Sequence, residues 1–257
     1  MGEGVLTAGF RRRDGRLVCE EVPLTSIAAA VGTPTYVYSA SSIRAAYDRL
    51  AQALTRLPVH IHYAMKANSN LALLKVVREC GAGVDVVSSG ELHRARLAGF
   101  AGRDIVFAGV GKTRLDLEYA LDVGVQCVNV ESEEELELLS QVASERGVVA
   151  PVSLRINPGV VNVTAAHAYI ATGEEGTKFG IPIGRGIAAA QRAASLPGIE
   201  LVGLDMHIGS QIAEVEAFAD AQRRLRALLD AIRNEGITTV RAVDVGGGFP
   251  IAYTDAE

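Results

Sequence analysis

Apolar residues recur along this chain in two alternating periods, and the alternation becomes regular from Val59 onward. Mostly apolar runs of strand length occupy Val59 to Met65, Gly83 to Val87, Asp104 to Gly109, Val125 to Val130, Pro151 to Ile156, Ile199 to Ile208 and Thr239 to Val245. Between them, apolar positions at helical spacing predict helices near Leu71 to Cys80, Gly90 to Leu97, Arg114 to Val123, Glu133 to Arg146, Arg185 to Ser195 and Val215 to Asn234. Strands joined by helices must each return to the same end, so seven such runs predict a parallel sheet. Nearly continuous apolar strands, such as Val84 to Val87 apart from Asp85, suit a sheet covered by helices.

An open doubly wound sheet and a closed (β/α)8 barrel both satisfy that rhythm. The barrel is favoured because polar residues sit at the carboxyl ends of many strands: Lys66, Asp85 and Ser88, Asn157, His207 and Ser210, and Gly246 to Gly248. In a barrel those ends form one mouth, whereas an open sheet concentrates them at a single switch point. The count stops one short of eight and Asp255 to Glu257 come closely after the seventh run, so the expectation is a (β/α)8 TIM-type barrel over 39–257, incomplete at its C-terminal end.

Residues 1–38 show another pattern. Leu17 to Glu20 and Val22 to Leu24 predict short strands and a turn, with Arg11 to Arg13 at a solvated hairpin or loop end. Ile27 to Val31 predicts a short helical turn ended by Gly32-Thr33-Pro34, and Tyr36 to Tyr38 a short β-run. Ser39 to Ser42 then offer N-caps for a helix through Ile43, Tyr47, Leu50 and Leu54.

Composition narrows the class. The 257 residues are 49% hydrophobic and 21% charged, with mean hydropathy +0.21, which describes an ordinary globular protein. No run approaches the ~20 apolar residues that span a bilayer, and the N-terminal residues lack an apolar signal core, so no membrane role is expected. Net charge of −5 and a pI of about 5.6 argue against nucleic acid as a partner. Cys19, Cys80 and Cys127 are scattered, odd in number and without a CxxC pair, so neither a disulfide framework nor a metal site is expected and a cytoplasmic setting fits.

The chemistry centres on Val59 to Asn70, VHIHYAMKANSN. Lys66 closes an apolar strand, and a lysine there is costly to bury and shifts its pKa readily, the properties of a nucleophile or Schiff-base former. Asn68 or Asn70 can cap the next helix. His207 to Gln211, HIGSQ, closes the sixth run with a flat imidazole and a hydroxyl, a pairing that suits a phosphorylated aromatic cofactor. Gly246-Gly247-Gly248 after the seventh run lets main-chain amides approach an anion.

YAMKAN resembles the lysine motif of the fold-type III pyridoxal-phosphate decarboxylases, the group that contains the diaminopimelate, ornithine and arginine decarboxylases, and HIGSQ and the triple glycine match the same family. The resemblance implies that Lys66 carries pyridoxal 5'-phosphate covalently, that His207 lies over its ring, and that Ser210 with Gly246, Gly247 and Gly248 holds its phosphate. Asp85 in VDVVSSGEL and Arg155 in LRINPG match positions near the cofactor, the first close to its point of attachment and the second beneath its ring. Lys66, His207 and Asp85 are thus the catalytic candidates; bare alternatives for Asp85 and Arg155 are a helix cap and an ion pair.

A long loop, Asn157 to Pro182, interrupts the rhythm and carries His167 to Gly173 and Thr177 to Ile181, whose HAYIATG and TKFGI resemble the diaminopimelate decarboxylases most closely. His60 and His62 share the parity of Lys66 and are expected to pack below it, while His93 carries no signal. The resemblance runs from about Leu17 to the last residue. It implies decarboxylation of meso-diaminopimelate to L-lysine, an amino-acid substrate, and a homodimer when full length. The alternatives are a decarboxylase of another basic amino acid or a non-catalytic pyridoxal-phosphate barrel. The family's Glu-Pro-Gly-Arg element and C-terminal β-domain are expected beyond residue 257, with residues 1–38 belonging to that domain, Leu17, Val18 and Val22 bare without it, and residues 1–257 alone inactive.

Overall fold

A computed structural model describes residues 9–160 and 179–251. An antiparallel hairpin of β1 (Phe10–Arg13) and β2 (Arg16–Cys19) is extended by β3 (Val22–Pro23). Helix α1 (Leu24–Val31) packs against β2 and β3. That cover corrects one expectation: Val18 and Cys19 are buried, and only Val22 of the three apolar residues is half exposed. Tyr36 to Tyr38 do not form a strand either, and among the described residues no strand pairs with them. The small sheet is fastened to α2 (Ala40–Ala53) by Glu20, whose Oε1 accepts from the Ser39 hydroxyl at 2.9 Å and the Ser41 N–H at 2.8 Å. Donors at the start of α2 are thereby satisfied by a residue about twenty positions upstream.

From β4 (His62–Ala64) the chain runs through α3 (Leu71–Glu79), β5 (Gly83–Val86), α4 (Ser89–Leu97), β6 (Ile105–Phe107), α5 (Arg114–Val123), β7 (Cys127–Val130), α6 (Glu133–Glu145) and β8 (Ala150–Asn157). It continues with β9 (Ile181–Pro182), α7 (Gly186–Ser195), β10 (Ile199–Asp205), α8 (Val215–Asn234) and β11 (Ala242–Asp244). Seven strands pair in parallel in the order β4-β5-β6-β7-β8-β10-β11, and β9 adds to β8 at the side. The sheet curls into a partial barrel, the α/β architecture expected from the alternation, with β4 and β11 as its edges. The short β9 is the one addition, bringing the end of the long loop back beside its start through the pairs Ile156↔Ile181 and Asn157↔Pro182. Among the described residues no helix is long and apolar enough to cross a membrane.

Side-chain parity divides the sheet into two environments. Val128 and Val130 of β7, Val152, Leu154 and Ile156 of β8, and Leu204 of β10 join the main core with helix residues such as Leu117, Leu136, Leu139 and Leu225. The alternate positions, Asn129, Ser153, Arg155, Asn157 and Asp205, are polar yet buried, so they face the concave side of the sheet. A register shift between Leu201 and Gly203 lets Val202 join Val106 and Cys127 in a small separate apolar cluster. Helix starts obey local chemistry: Thr113 and Asp116 form a reciprocal capping box on α5, and Gly124 ends it in the left-handed region at φ 67°.

Leu154 is fully buried and Leu115 is 75% exposed. In chemical denaturation Leu154→Ala is expected to cost about 2–5 kcal/mol by losing transfer energy and leaving a cavity, whereas Leu115→Ala is expected to stay within about 0.5 kcal/mol of the parent.

Candidate active site

Lys66 lies in a 3-10 turn, Met65–Ala67, at the end of β4, with Met65 fully buried and Lys66 itself exposed. The strand before it is only half-buried, contrary to the sequence expectation, because β4 is an edge paired to β5 alone. Residues on either side fix the turn. Asn70 Oδ1 accepts the Ala72 N–H at 2.9 Å and so caps α3, Asn68 Oδ1 accepts the Asn70 N–H at 3.0 Å, and the Tyr63 hydroxyl donates to the Asn68 carbonyl at 3.2 Å.

Asp85 stands beside this turn, its strand position paired with Ala64. Its Oδ1 is enclosed and has no hydrogen-bond partner among the described residues. Burial, and then the negative charge of Asp244, push its carboxyl up to about 7 against the opposing pull of Lys66 and Arg155. Asp85 is therefore no helix cap. That task belongs to Ser88, which accepts the Glu91 N–H at 3.2 Å while Glu91 returns to the Val87 N–H at 2.9 Å.

Arg155 is only 8% exposed on β8. Its Nη1 donates to Glu131 Oε1 at 2.6 Å, its Nε lies 3.9 Å from Asp205 Oδ2, and its guanidinium sits 5.1 Å from the centroid of the Phe179 ring. Glu131 Oε1 also accepts the Gly109 N–H at 3.1 Å, while Glu131 Oε2 has no partner among the described residues. Behind this pair Lys112, buried, donates to the carbonyls of Gly109 and Asn129 at 2.7 and 2.8 Å and to Glu135 Oε1 at 2.7 Å. Asp205 has its carboxyl held well above the usual range by burial and by Asp244. Glu131, Asp205, Lys112 and Phe179 were all missed from sequence. Parity could have found Glu131, which continues the concave set of Cys127 and Asn129; nothing local marks Lys112, whose acceptors lie on separate elements.

His207 comes after β10, and its Nδ1 accepts the Gly247 N–H at 3.4 Å. Burial, and then the positive charges of Arg155 and Lys66, push its pKa down to about 4, so the imidazole is neutral throughout the physiological range. Ser210 is exposed on the same turn. Two of the three glycines are required by the backbone. Gly246 and Gly248 have φ of 72° and 90°, and a Cβ would lie 2.4 Å from the Met206 carbonyl oxygen at the first and 1.9 Å from the Gly209 carbonyl oxygen at the second. A Cβ on Gly247 would meet no protein atom within 4 Å. His62 is half-buried with Nε2 3.1 Å from Gln126 Oε1, as packing requires, but His60 is exposed and lines nothing. His93 is exposed, and His167 to Gly173 lie outside the described residues.

One mouth thus gathers the predicted set: Lys66 and Arg155 both act electrostatically on His207 and on Asp85, and the glycine loop touches the His207–Ser210 turn. The group fits pyridoxal phosphate. An exposed amine is available to an aldehyde, a neutral flat imidazole to a ring, an orphaned Asp85 oxygen to a polar partner, and an open glycine edge to a phosphate.

A family profile described as "Pyridoxal-dependent decarboxylase, pyridoxal binding domain" matches residues 40–257. The chain is 50% identical over 248 residues to the diaminopimelate decarboxylase of Pseudomonas aeruginosa, covering 96% of this chain and 59% of that protein. Among solved structures it resembles diaminopimelate decarboxylase from M. jannaschii in co-complex with L-lysine, with a TM-score of 0.89 and 34% identity over 98% of this chain and 59% of the other. It also resembles lysine decarboxylase from Selenomonas ruminantium, with a TM-score of 0.79 and 26% identity over 95% and 58%. The chain spans about three-fifths of the length of the curated relatives it matches.

Removing Glu131 leaves Arg155 and the Gly109 N–H without their shared acceptor, so Glu131→Ala is expected to destabilise by about 3–5 kcal/mol and Glu131→Gln, which keeps an acceptor, by less; denaturant melts compare them. Asp85 gives a pH signature. Its folded pKa of about 7 exceeds the ordinary carboxylate value of ~3.9, so the native state binds more protons than the unfolded state between those values and its contribution to stability falls as pH rises through them. Asp85→Asn is expected to gain Tm relative to the parent at pH 8 but not at pH 4, and an equal shift at both would refute the assignment.

Proposed function

The chain belongs to the pyridoxal-dependent decarboxylase family, and from that membership we propose that the protein removes CO2 from meso-diaminopimelate to form L-lysine. The observation that carries this reading is the mouth that joins Lys66, Asp85, Arg155 and His207 to a glycine loop, in a chain half identical to a diaminopimelate decarboxylase. Pyridoxal phosphate, when bound, supplies a ring that takes up the electron pair left as CO2 departs.

The protein's own residues divide the remaining work. Lys66, exposed at the mouth, would hold pyridoxal phosphate covalently through its amine. His207 presents a neutral ring face; an imidazolium there would face Arg155 and Lys66 with like charge. Asp85, with an apparent pKa near neutrality, can hold a proton or release one beside Lys66. Arg155, braced by Glu131, keeps a fixed positive charge on the floor of the mouth. Ser210 and Gly246 to Gly248 would hold the phosphate of the cofactor, with the space at the Gly247 Cβ position open.

Residues 1–38 are assigned to a β-domain completed by the rest of a longer protein, which acts as a homodimer. A cytoplasmic setting is supported by three free thiols, Cys19, Cys80 and Cys127. The second reading, decarboxylation of another basic amino acid, draws support from the likeness to the Selenomonas enzyme.

Full-length protein, incubated with pyridoxal 5'-phosphate and reduced with borohydride, is expected to yield a single pyridoxyl-labelled peptide containing Lys66; a label on any other lysine sinks the attachment. CO2 release is expected from meso-diaminopimelate at a kcat/KM at least roughly 100-fold above those for L-lysine, L-ornithine and L-arginine, the discrimination a polar pocket readily supplies. Lys66→Ala should reduce it to background. Preference for one of the other three substrates would select the second reading.

A further inference from the structure

HIGSQ ends in a residue that the reading above leaves without a task. Gln211 has φ 58°, a left-handed conformation that disfavours side chains. Its half-buried side chain reaches forty residues along the chain and bonds both main-chain groups of one residue: Nε2 donates to the Ile251 carbonyl at 3.2 Å, and Oε1 accepts the Ile251 N–H at 3.0 Å. An amide bonded in this way imitates one rung of a β-ladder. The neighbouring Ile212 N–H adds a bond to the Gly248 carbonyl at 3.0 Å, and Phe249 stacks on Phe218 of α8 at 5.2 Å between centroids. At the other end the Met206 N–H donates to the Asp244 carbonyl at 3.1 Å. The loop from Gly246 to Ile251 is therefore tied at both ends to the turn that carries His207 and Ser210, and between the ties lies Gly247, with no protein atom near its Cβ position.

Glycines in such a loop would otherwise sample many conformations, and binding would have to order them. The left-handed backbone of Gln211 aims its amide at Ile251, and the two bonds it makes hold it there. We propose that Gln211 is a positioning residue that, by clamping Ile251, holds the Gly246–Gly248 loop in the shape that receives the phosphate of the cofactor. This rests on the reading of that loop as the phosphate site.

The test compares dissociation constants for pyridoxal 5'-phosphate and for pyridoxal, which lacks the phosphate, in full-length parent protein, Gln211→Ala and Gln211→Gly. The glycine variant relieves the backbone strain while removing the clamp, so it carries the comparison should the alanine variant fail to fold. The parent should prefer the phosphorylated ligand. Both variants should reduce that preference roughly tenfold, the loss of two neutral hydrogen bonds, with pyridoxal affinity unchanged. A merely structural role predicts that both ligands weaken together. An undiminished preference, or equal weakening of both ligands, overturns the clamp while leaving the phosphate site standing. A parent that does not distinguish the two ligands overturns the phosphate site itself, and the clamp with it.

Discussion

A buried guanidinium dictates the arrangement of the mouth. Taking Arg155 out of water costs several kcal/mol, and the cost is met by carboxylates brought from neighbouring strands: Glu131 beyond β7 and Asp205 on β10. Glu131 in turn holds the Gly109 N–H beyond β6, and Lys112 ties Gly109 to β7 and α6. Four successive strand ends are thereby locked by one charge and its partners. A side chain that cannot move without leaving a bare charge makes a reliable fixed point for a ligand.

The opposite half of the mouth is built otherwise. Lys66 and the glycine loop stand on the two edge strands, β4 and β11, where side chains are exposed and the main chain does the fixing through caps, turns and the Gln211 clamp. Val243 and Val245, on the outer face at β11, are 44% and 42% exposed, so this edge has less apolar cover than the centre of the sheet.

Charges of both signs meet in the mouth, where Asp244 Oδ1 accepts the Gly246 N–H at 2.8 Å. Burial first, and then the negative charge of Asp244, raise Asp85, Asp205 and the Cys127 thiol, the last up to about 12, while burial first, and then Arg155 and Lys66, lower His207. The interior around Asp85, Asp205 and Cys127 thus suits protonated acids. Cys127 is a packing thiol there, far from the thiolate that reactivity needs.

Periodicity and strand-end chemistry were enough to read the seven strands and their helices, with boundaries within a few residues, and to nominate Lys66, Asp85, His207, Ser210 and the three glycines, while Arg155 came from the family resemblance. Those features are local: spacing of apolar residues sets the elements, and the parallel rule sends every strand end to one side. What tertiary structure alone decided is which groups meet across the sheet and how much water each retains. The carboxyl of Asp85 is brought near neutrality by its burial and then by Asp244 on β11, and the worth of Glu131, Lys112, Phe179 and Gln211 comes from partners that are distant along the chain. Burial and Coulomb interaction depend on distances in space, and no spacing along a sequence records them.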